Sequence, residues 1–305
     1  MTNGIQLGVH ALVFVDGWDE ASIQRATEDA AACGYGLIEV VIFDPAEARP
    51  AATAQALAAT GLKAVTGMAL NPAADISSPD RGIAAAGERL IGDAIGATRD
   101  MGATCLGGVT HSALTRYLTA AAPGTLSRVT ETYGRLAEKA RAAGIRLGIE
   151  AVNRYESNVV NTVDDAARIV RAVGSPALFA HIDTYHMNIE EDDIYAAILR
   201  NLDVIGHVHV GESHRGYLGT GSVDVSQTFR ALAEGGYAGP VVFEGFSPAV
   251  LSPPTADALA AWTTRWSDSR DLARSALVRM QAELSAAQRA FSARELARRE
   301  MGAVA

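Results

Sequence analysis

Four acidic or imidazole side chains close four apolar runs in the second half of the chain. Glu150 ends RLGIE, Asp183 ends ALFAHID, His209 stands one residue before the end of DVIGHVHV and Glu244 ends GPVVFE, and each precedes a polar loop. A carboxylate at the end of a buried strand needs a counter-charge, a cation or a shifted pKa to be tolerated. For Glu150 alone, a salt bridge to Arg146 or Arg154 would serve. Recurrence of the same arrangement points instead to a shared partner. Three carboxylates with one imidazole suit a single hard or borderline divalent ion, such as manganese, magnesium or cobalt, better than a structural zinc.

Other side chains with chemical potential are scattered along the chain. Glu39 interrupts the apolar run GLIEVVIF, which makes it a buried carboxylate with either a structural partner or a substrate hydrogen bond. His181 and His207 each stand two residues before an outer ligand candidate, so on a strand they share its face one layer deeper and read as internal hydrogen-bonding groups. Arg215 lies in GESHRGYLGTGSVD, a loop of four glycines whose spacing matches no phosphate-binding motif; it is a clamp for substrate or a solvated cation. Phe14 and Trp18 follow His10 in the segment after the first apolar run, and serve packing or the wall of a ligand site. His111 falls in a loop, where a histidine ordinarily meets solvent or a hydrogen-bond partner.

For these groups to converge, their strand ends must share one rim. Eight apolar runs, from Ile5–Val9 to Pro240–Glu244, alternate with helical segments, and no hairpin signal intervenes. This alternation predicts parallel strands joined by crossovers, hence an α/β (β/α)8 TIM barrel with its chemistry at the carboxyl ends of the strands. Capping residues place helix starts at Asp19 or Ser22, at Ser78-Pro79 and at Thr162. Gly107-Gly108 is expected to end the fourth strand, and Ala256 to Ser267 to open the last helix. Residues 1–270 are assigned to the barrel and 271–305 to a C-terminal helical extension. The stripe Leu272, Ala276, Met280 and Leu284 in that extension packs on its own barrel or on another subunit.

A chain of 305 residues fits one large α/β domain as well as two small ones, and 49% hydrophobic residues allow a substantial core. The net charge of -9, without any Lys/Arg run, argues against a nucleic-acid surface. Cys33 and Cys105 lack metal-ligand spacing and read as free thiols in a reducing cytoplasm. No leader pattern is visible, and no apolar run reaches the roughly 18 residues of a membrane span.

The segments GIEAVNRYESN from 148, HIDTYHMNIEE from 181, HVHVGESHRGYLGTGSVD from 207 and VVFEGFS from 241 resemble the ketose 3-epimerases, the D-tagatose and D-allulose (D-psicose) 3-epimerase group of the sugar isomerase/epimerase barrels. The resemblance covers nearly the whole barrel. It implies one divalent ion per subunit, usually Mn2+ with Co2+ or Mg2+ accepted, held by Glu150, Asp183, His209 and Glu244. It also implies ketose-binding roles for Glu156, His186 and Arg215, and a homodimer or homotetramer. Phe14 stands where relatives often carry tryptophan, and His111 where tyrosine is expected; placed near the mouth, both become substrate contacts that bear on sugar preference.

The implied activity is reversible epimerisation of free ketoses at C3, of the D-fructose/D-allulose, D-tagatose/D-sorbose or L-ribulose type. Inverting a stereocentre by proton transfer needs one base on each face, and Glu150 and Glu244 are the pair expected to supply them. An aldose-ketose isomerase or an inosose dehydratase could use the same residues. An endonuclease-IV-like phosphodiesterase would need more histidines and a basic groove, and a non-catalytic sugar-binding protein would bind without turnover. Fold alone does not separate these.

Overall fold

The apolar runs become strands because aliphatic and β-branched residues tolerate burial on both faces, as parallel strands flanked by helices require. In the computed structural model, which describes residues 4–302, they form β1 (Gln6–His10), β2 (Leu37–Val41), β3 (Lys63–Leu70), β4 (Cys105–Ala113), β5 (Arg146–Glu150), β6 (Leu178–Asp183), β7 (Ile205–Gly211) and β8 (Pro240–Glu244). Every strand pairs in parallel with its neighbours in chain order, and β8 closes onto β1. The expected (β/α)8 barrel is the observed fold.

Helices α1 (Glu20–Ala32), α2 (Pro50–Thr60), α3 (Arg81–Asp100), α4 (Thr125–Ala143), α5 (Val163–Val173), α6 (Thr184–Glu190), α7 (Ile194–Asn201), α8 (Val225–Glu234), α9 (Pro253–Ala258) and α10 (Ser269–Gly302) complete the chain. Asp19 caps α1 by accepting the Ser22 N–H at 2.8 Å, and Thr162 caps α5 in a reciprocal box with Asp165. The start of α3 lies later than expected. Asp80 is its cap, accepting from Gly82 and Ile83, while Ser78 accepts the Asp80 N–H and so belongs to the preceding turn.

The barrel interior is stacked in layers, because alternate residues of each strand point inward. Leu37, Val65, Cys105, Phe179 and Val242 make an apolar floor. Two residues further along the same strands come Glu39, Gly67, Gly107, His181 and Glu244. The glycines create the room for the polar layer. A Cβ at Gly67 would lie 2.5 Å from Glu39 Oε1, one at Gly107 2.9 Å from His181 Nδ1, and one at Gly148 2.6 Å from the Phe179 ring.

Gly107-Gly108 therefore does not end the fourth strand. Both residues pair with β3, and β4 continues to Ala113, buried along its whole length. Gly108 has φ of 103° and lies so close to β3 that a Cβ would sit 2.0 Å from the Met68 carbonyl oxygen. A second difference concerns the end of the chain. Residues 256–267 do not open the last helix, because α9 stops at Ala258 and a non-helical stretch precedes α10. The stripe on α10 packs on its own protein. Leu272, Ala276, Met280 and Leu284 are all buried, the helix lies against β1, β8 and α8, and Tyr35 donates to the Ala273 carbonyl at 2.8 Å. Burying each large side chain of that stripe is worth about 1.5–3 kcal/mol. The far end of the expected extension, residues 303–305, lies outside the described residues, as do residues 1–3.

Gly108→Ala must strain the backbone and push β3 away, and is expected to destabilise the fold by roughly 3 kcal/mol or more. Gly61→Ala, also at positive φ but with open space around its Cβ, should lose only about 1–2 kcal/mol. Urea denaturation of the two variants measures the difference, and equal losses would contradict the close β3–β4 approach.

Candidate active site

The four strand-end groups meet at the mouth of the barrel. Glu150, Asp183 and His209 each bring one ligand atom within 4.8 Å of the others. Glu244 joins them, with Oε1 3.4 Å from His209 Nδ1, while Glu150 Oε1 lies 3.7 Å from the same nitrogen. All four are buried. Neither arginine considered for Glu150 pairs with it. Arg154 turns outward to Glu190 at 2.7 Å, and Arg146 lies over the Phe179 ring at the floor.

Arg215 reaches this cluster from the loop after β7. Its Nη1 bridges Asp183, at 2.9 Å, and Glu244, and its guanidinium stacks 3.6 Å from the Tyr185 ring centroid. The residue has φ of 58°, unusual without glycine. Its backbone is held on both sides: Arg215 N–H donates to the Glu212 carbonyl, and its own carbonyl accepts from Phe246 N–H and the Trp266 indole.

Glu156 and His186 come together through Asn153. The Asn153 amide donates to Glu156 Oε1 at 2.9 Å and lies 2.8 Å from His186 Nδ1. This turns His186 Nε2 toward Asp183, Glu150 and Glu156, at 3.7, 3.9 and 3.9 Å. Asn153 has no assigned role in the sequence reading although it lies inside the NRYE stretch; only its packing reveals the link.

Two residues expected as substrate contacts lie outside the cavity lining. Phe14 is fully buried in the main core and does not line the cavity, because the segment after β1 folds back as a 3₁₀ turn over Ala11–Val13 rather than an open loop. His111 lies within β4, fully buried and away from the cavity wall, because the strand runs through the glycine pair. Neither ring nitrogen makes a well-formed hydrogen bond among the described residues, the approach to the Glu150 backbone falling short of one.

Two further groups, His10 and Glu39, do line the cavity. His10 ends β1, accepts the Leu12 N–H at Nδ1, and points Nε2 toward Glu244 at 3.7 Å. Glu39 rises from the middle layer to His209 Nε2 at 2.6 Å. His181, as expected of an inner-layer group, accepts the Gly108 N–H.

The cavity above these residues has a volume of about 360 Å³. Its base is polar, and its upper wall is apolar, formed by Leu12, Val41, Phe43, Met68, Leu114 and Leu259. Burial pushes the Glu150 carboxyl up to about 7, opposed by His209 and reinforced by Glu244 and Asp183. Burial acts on Glu244 in the same sense, yet Arg215, His209 and His10 outweigh it and hold Glu244 below its ordinary value. His209 is raised well above the usual histidine range, its buried setting overcome by the surrounding carboxylates. The donor set fits a divalent cation on this structure's own terms: hard carboxylate oxygens converge on one imidazole nitrogen, His209 Nδ1, which is buried and lacks a hydrogen-bond partner among the described residues.

An eight-stranded barrel with a buried carboxylate–histidine cluster at its carboxyl-terminal mouth has known counterparts. Residues 27–270 match the model of the xylose isomerase-like TIM barrel family. The chain is 40% identical over 268 residues to a ketose 3-epimerase of Arthrobacter globiformis, covering 88% of this chain and 93% of that one. It is 39% identical over 278 residues to an L-ribulose 3-epimerase of Methylomonas sp. (strain DH-1), covering 90% and 96%. The solved D-allulose 3-epimerase from Methylomonas sp. in complex with D-allulose matches with a TM-score of 0.89 at 38% identity, over 92% and 97% of the two chains. The chain therefore belongs to the xylose isomerase-like TIM barrel family. Within that family it stands with the ketose 3-epimerases, and it is an isomerase. Among the described residues no helix is long and apolar enough to cross a membrane.

Burial holds His111 down to about 4. A histidine whose folded pKa is below its unfolded value contributes stability that is present above about 6.5 and is lost as pH falls toward the folded value. The full shift corresponds to roughly 3 kcal/mol for this buried group. Glu150 acts in the opposite sense, losing stability as pH rises through about 7, so the His111 contribution is read as a difference. Thermal melts at pH 7 and pH 4.5 should show a smaller acid-side loss in His111→Leu than in wild type; identical losses would place the histidine elsewhere than in the core.

Proposed function

We propose that the protein catalyses reversible C3 epimerisation of free ketoses, of the D-fructose/D-allulose, D-tagatose/D-sorbose or L-ribulose type. The observation that carries this reading is the pair Glu150 and Glu244, both buried and both flanking one histidine nitrogen. In the ring of strands β5 and β8 are separated by β6 and β7, so the two carboxylates approach the cavity from different directions. That is what proton removal on one face of C3 and delivery on the other requires. The names of the relatives add support for a ketose and for C3.

Glu150, Asp183, His209 and Glu244 would hold one divalent ion, with Mn2+ preferred and Co2+ or Mg2+ accepted. When bound, it supplies Lewis-acid polarisation of the ketose oxygens beside C3. The chain's own residues carry the remaining work. One glutamate takes the C3 proton; the other gives a proton to the opposite face of the planar carbon, and the reverse reaction exchanges their roles. Arg215 and His186 stabilise negative charge developing on substrate oxygens, Glu156 accepts a hydroxyl proton in a hydrogen bond, and Asn153 orients both His186 and Glu156. His10 belongs in the same set. Its Nδ1 accepts from Leu12, which leaves the hydrogen on Nε2, facing the cavity beside Glu244. Assembly as a homodimer or homotetramer belongs to this reading through the resemblance, and a cytoplasmic location through the free thiols of Cys33 and Cys105.

The test is incubation of Mn2+-loaded protein with D-fructose, D-tagatose and L-ribulose in deuterated water, with products followed by NMR. The expected result is the C3 epimer carrying deuterium at C3. Glu150→Gln and Glu244→Gln should each lower turnover by about 100-fold to 10,000-fold in both directions. An aldose product would reassign the reaction to aldose-ketose isomerisation, and binding without exchange would reassign the protein to sugar binding.

A further inference from the structure

Glu39 has no place in the reaction just described, yet it touches the cluster from the layer beneath and is only 1% exposed. Its Oε2 lies 2.6 Å from His209 Nε2 and 3.1 Å from His207 Nε2. Space for it is built into the neighbouring strand, since any side chain at Gly67 would collide with Oε1. A buried acid of this kind is costly unless it is held by partners, and here both close partners are imidazoles of one strand.

We propose that Glu39 is a positioning residue that fixes the hydrogen of His209 on Nε2 and thereby sets the affinity of the cluster for a divalent cation. The inference rests on the reading that Glu150, Asp183, His209 and Glu244 hold such an ion. An ionised carboxylate only accepts hydrogen bonds, so the nitrogen 2.6 Å from it carries the hydrogen. In the neutral ring that ligation of a cation requires, the lone pair then resides on Nδ1, the nitrogen that faces Glu150 and Glu244. Without Glu39 the opposite tautomer becomes available, with an Nδ1 hydrogen donated to Glu244 or Glu150 where a cation would have to bind. The floor beneath makes the arrangement rigid. Leu37 and Val65 close the layer under Glu39, and the His181 ring packs 4.2 Å from His209 and from His207, centroid to centroid. Partners of this type, beyond the ligands themselves, orient a metal-binding histidine, and their removal typically weakens binding by about 10-fold to 100-fold.

The experiment measures Mn2+ affinity by electron paramagnetic resonance of the free ion, for wild type, Glu39→Ala and Glu39→Gln. Glu39→Ala is expected to weaken binding by about 10-fold to 100-fold, and Glu39→Gln, whose amide oxygen still accepts from Nε2, to retain most of the affinity. Histidine 15N spectra of the Mg2+-loaded wild type should show a slowly exchanging hydrogen on His209 Nε2. A hydrogen on Nδ1 overturns the proposal whether or not Glu39→Ala folds. Folded Glu39→Ala with wild-type Mn2+ affinity overturns the positioning role and leaves the cation site standing, whereas wild-type protein that takes up no Mn2+ overturns both.

Discussion

Mutual repulsion among buried carboxylates is the constraint on which the rest of this structure depends. Glu39, Glu150, Asp183 and Glu244 are all buried at the barrel mouth, with Glu156 largely so. Like charges at this spacing in a low-dielectric setting cannot all ionise without compensation. The compensation within the chain is uneven. Arg215 bridges Asp183 and Glu244, His209 faces Glu39, Glu150 and Glu244, and Glu150 takes up the remaining strain by holding its proton to about 7. A site with this surplus of negative charge has an intrinsic demand for a further cation, which is why the divalent-ion reading follows from the electrostatics as well as from the resemblance.

The scaffold meets that constraint by stiffness. Glu39, Asp183 and Glu244 rise from strands whose lower residues belong to a close-packed apolar floor, so the polar layer inherits its positions from the packing of Phe179 and its neighbours. The cation from outside the barrel is fixed differently. Arg215 occupies a left-handed conformation that costs on the order of 1 kcal/mol, and the surrounding loop is organised by buried Glu212, whose carboxylate accepts from the backbone of Ser213, Gly219 and Val223. Phe246 and Trp266 then grip the Arg215 carbonyl from the segment after β8. The loop after β7 is therefore a rigid extension of the site, although it carries three glycines, Gly216, Gly219 and Gly221.

The barrel was legible because its signal is local and repeated: apolar runs, caps and turns recur at the spacing of strand and helix. The convergence of Glu150, Asp183, His209 and Glu244 followed from the same rule, since one rim collects all the carboxyl ends. What could not be read depends on packing between segments distant in sequence. His10 and Asn153 are ordinary polar residues, and the burial of Glu39 is legible but its partner is not, until β1, β2 and the loop after β5 are brought against β7, β8 and α6. Phe14 and His111 show the reverse case. Both lie near glycine-rich or aromatic stretches that resemble loops, and both are interior because Gly108 permits a close strand approach and the turn after β1 folds inward. The α10 stripe was readable as amphipathic, but not which surface it would cover.

The two glutamates at the centre of the proposed reaction illustrate how one rim can give identical side chains different chemistry. Both are buried and both face His209 Nδ1, so burial and the imidazole alone would leave them nearly equivalent. Arg215 breaks the symmetry. It pairs with Glu244 and not with Glu150, and lowers the proton affinity of one while the other remains raised. Proton affinities pushed apart in this way allow one group to accept while the other donates. In an epimerisation each direction of the reaction requires the opposite assignment, so the asymmetry must reverse within each turnover. An asymmetry set by a single ion pair on a loop residue can be redistributed when substrate oxygens compete for the same guanidinium. The strained backbone of Arg215 thus keeps the cation in place without committing its charge permanently to Glu244.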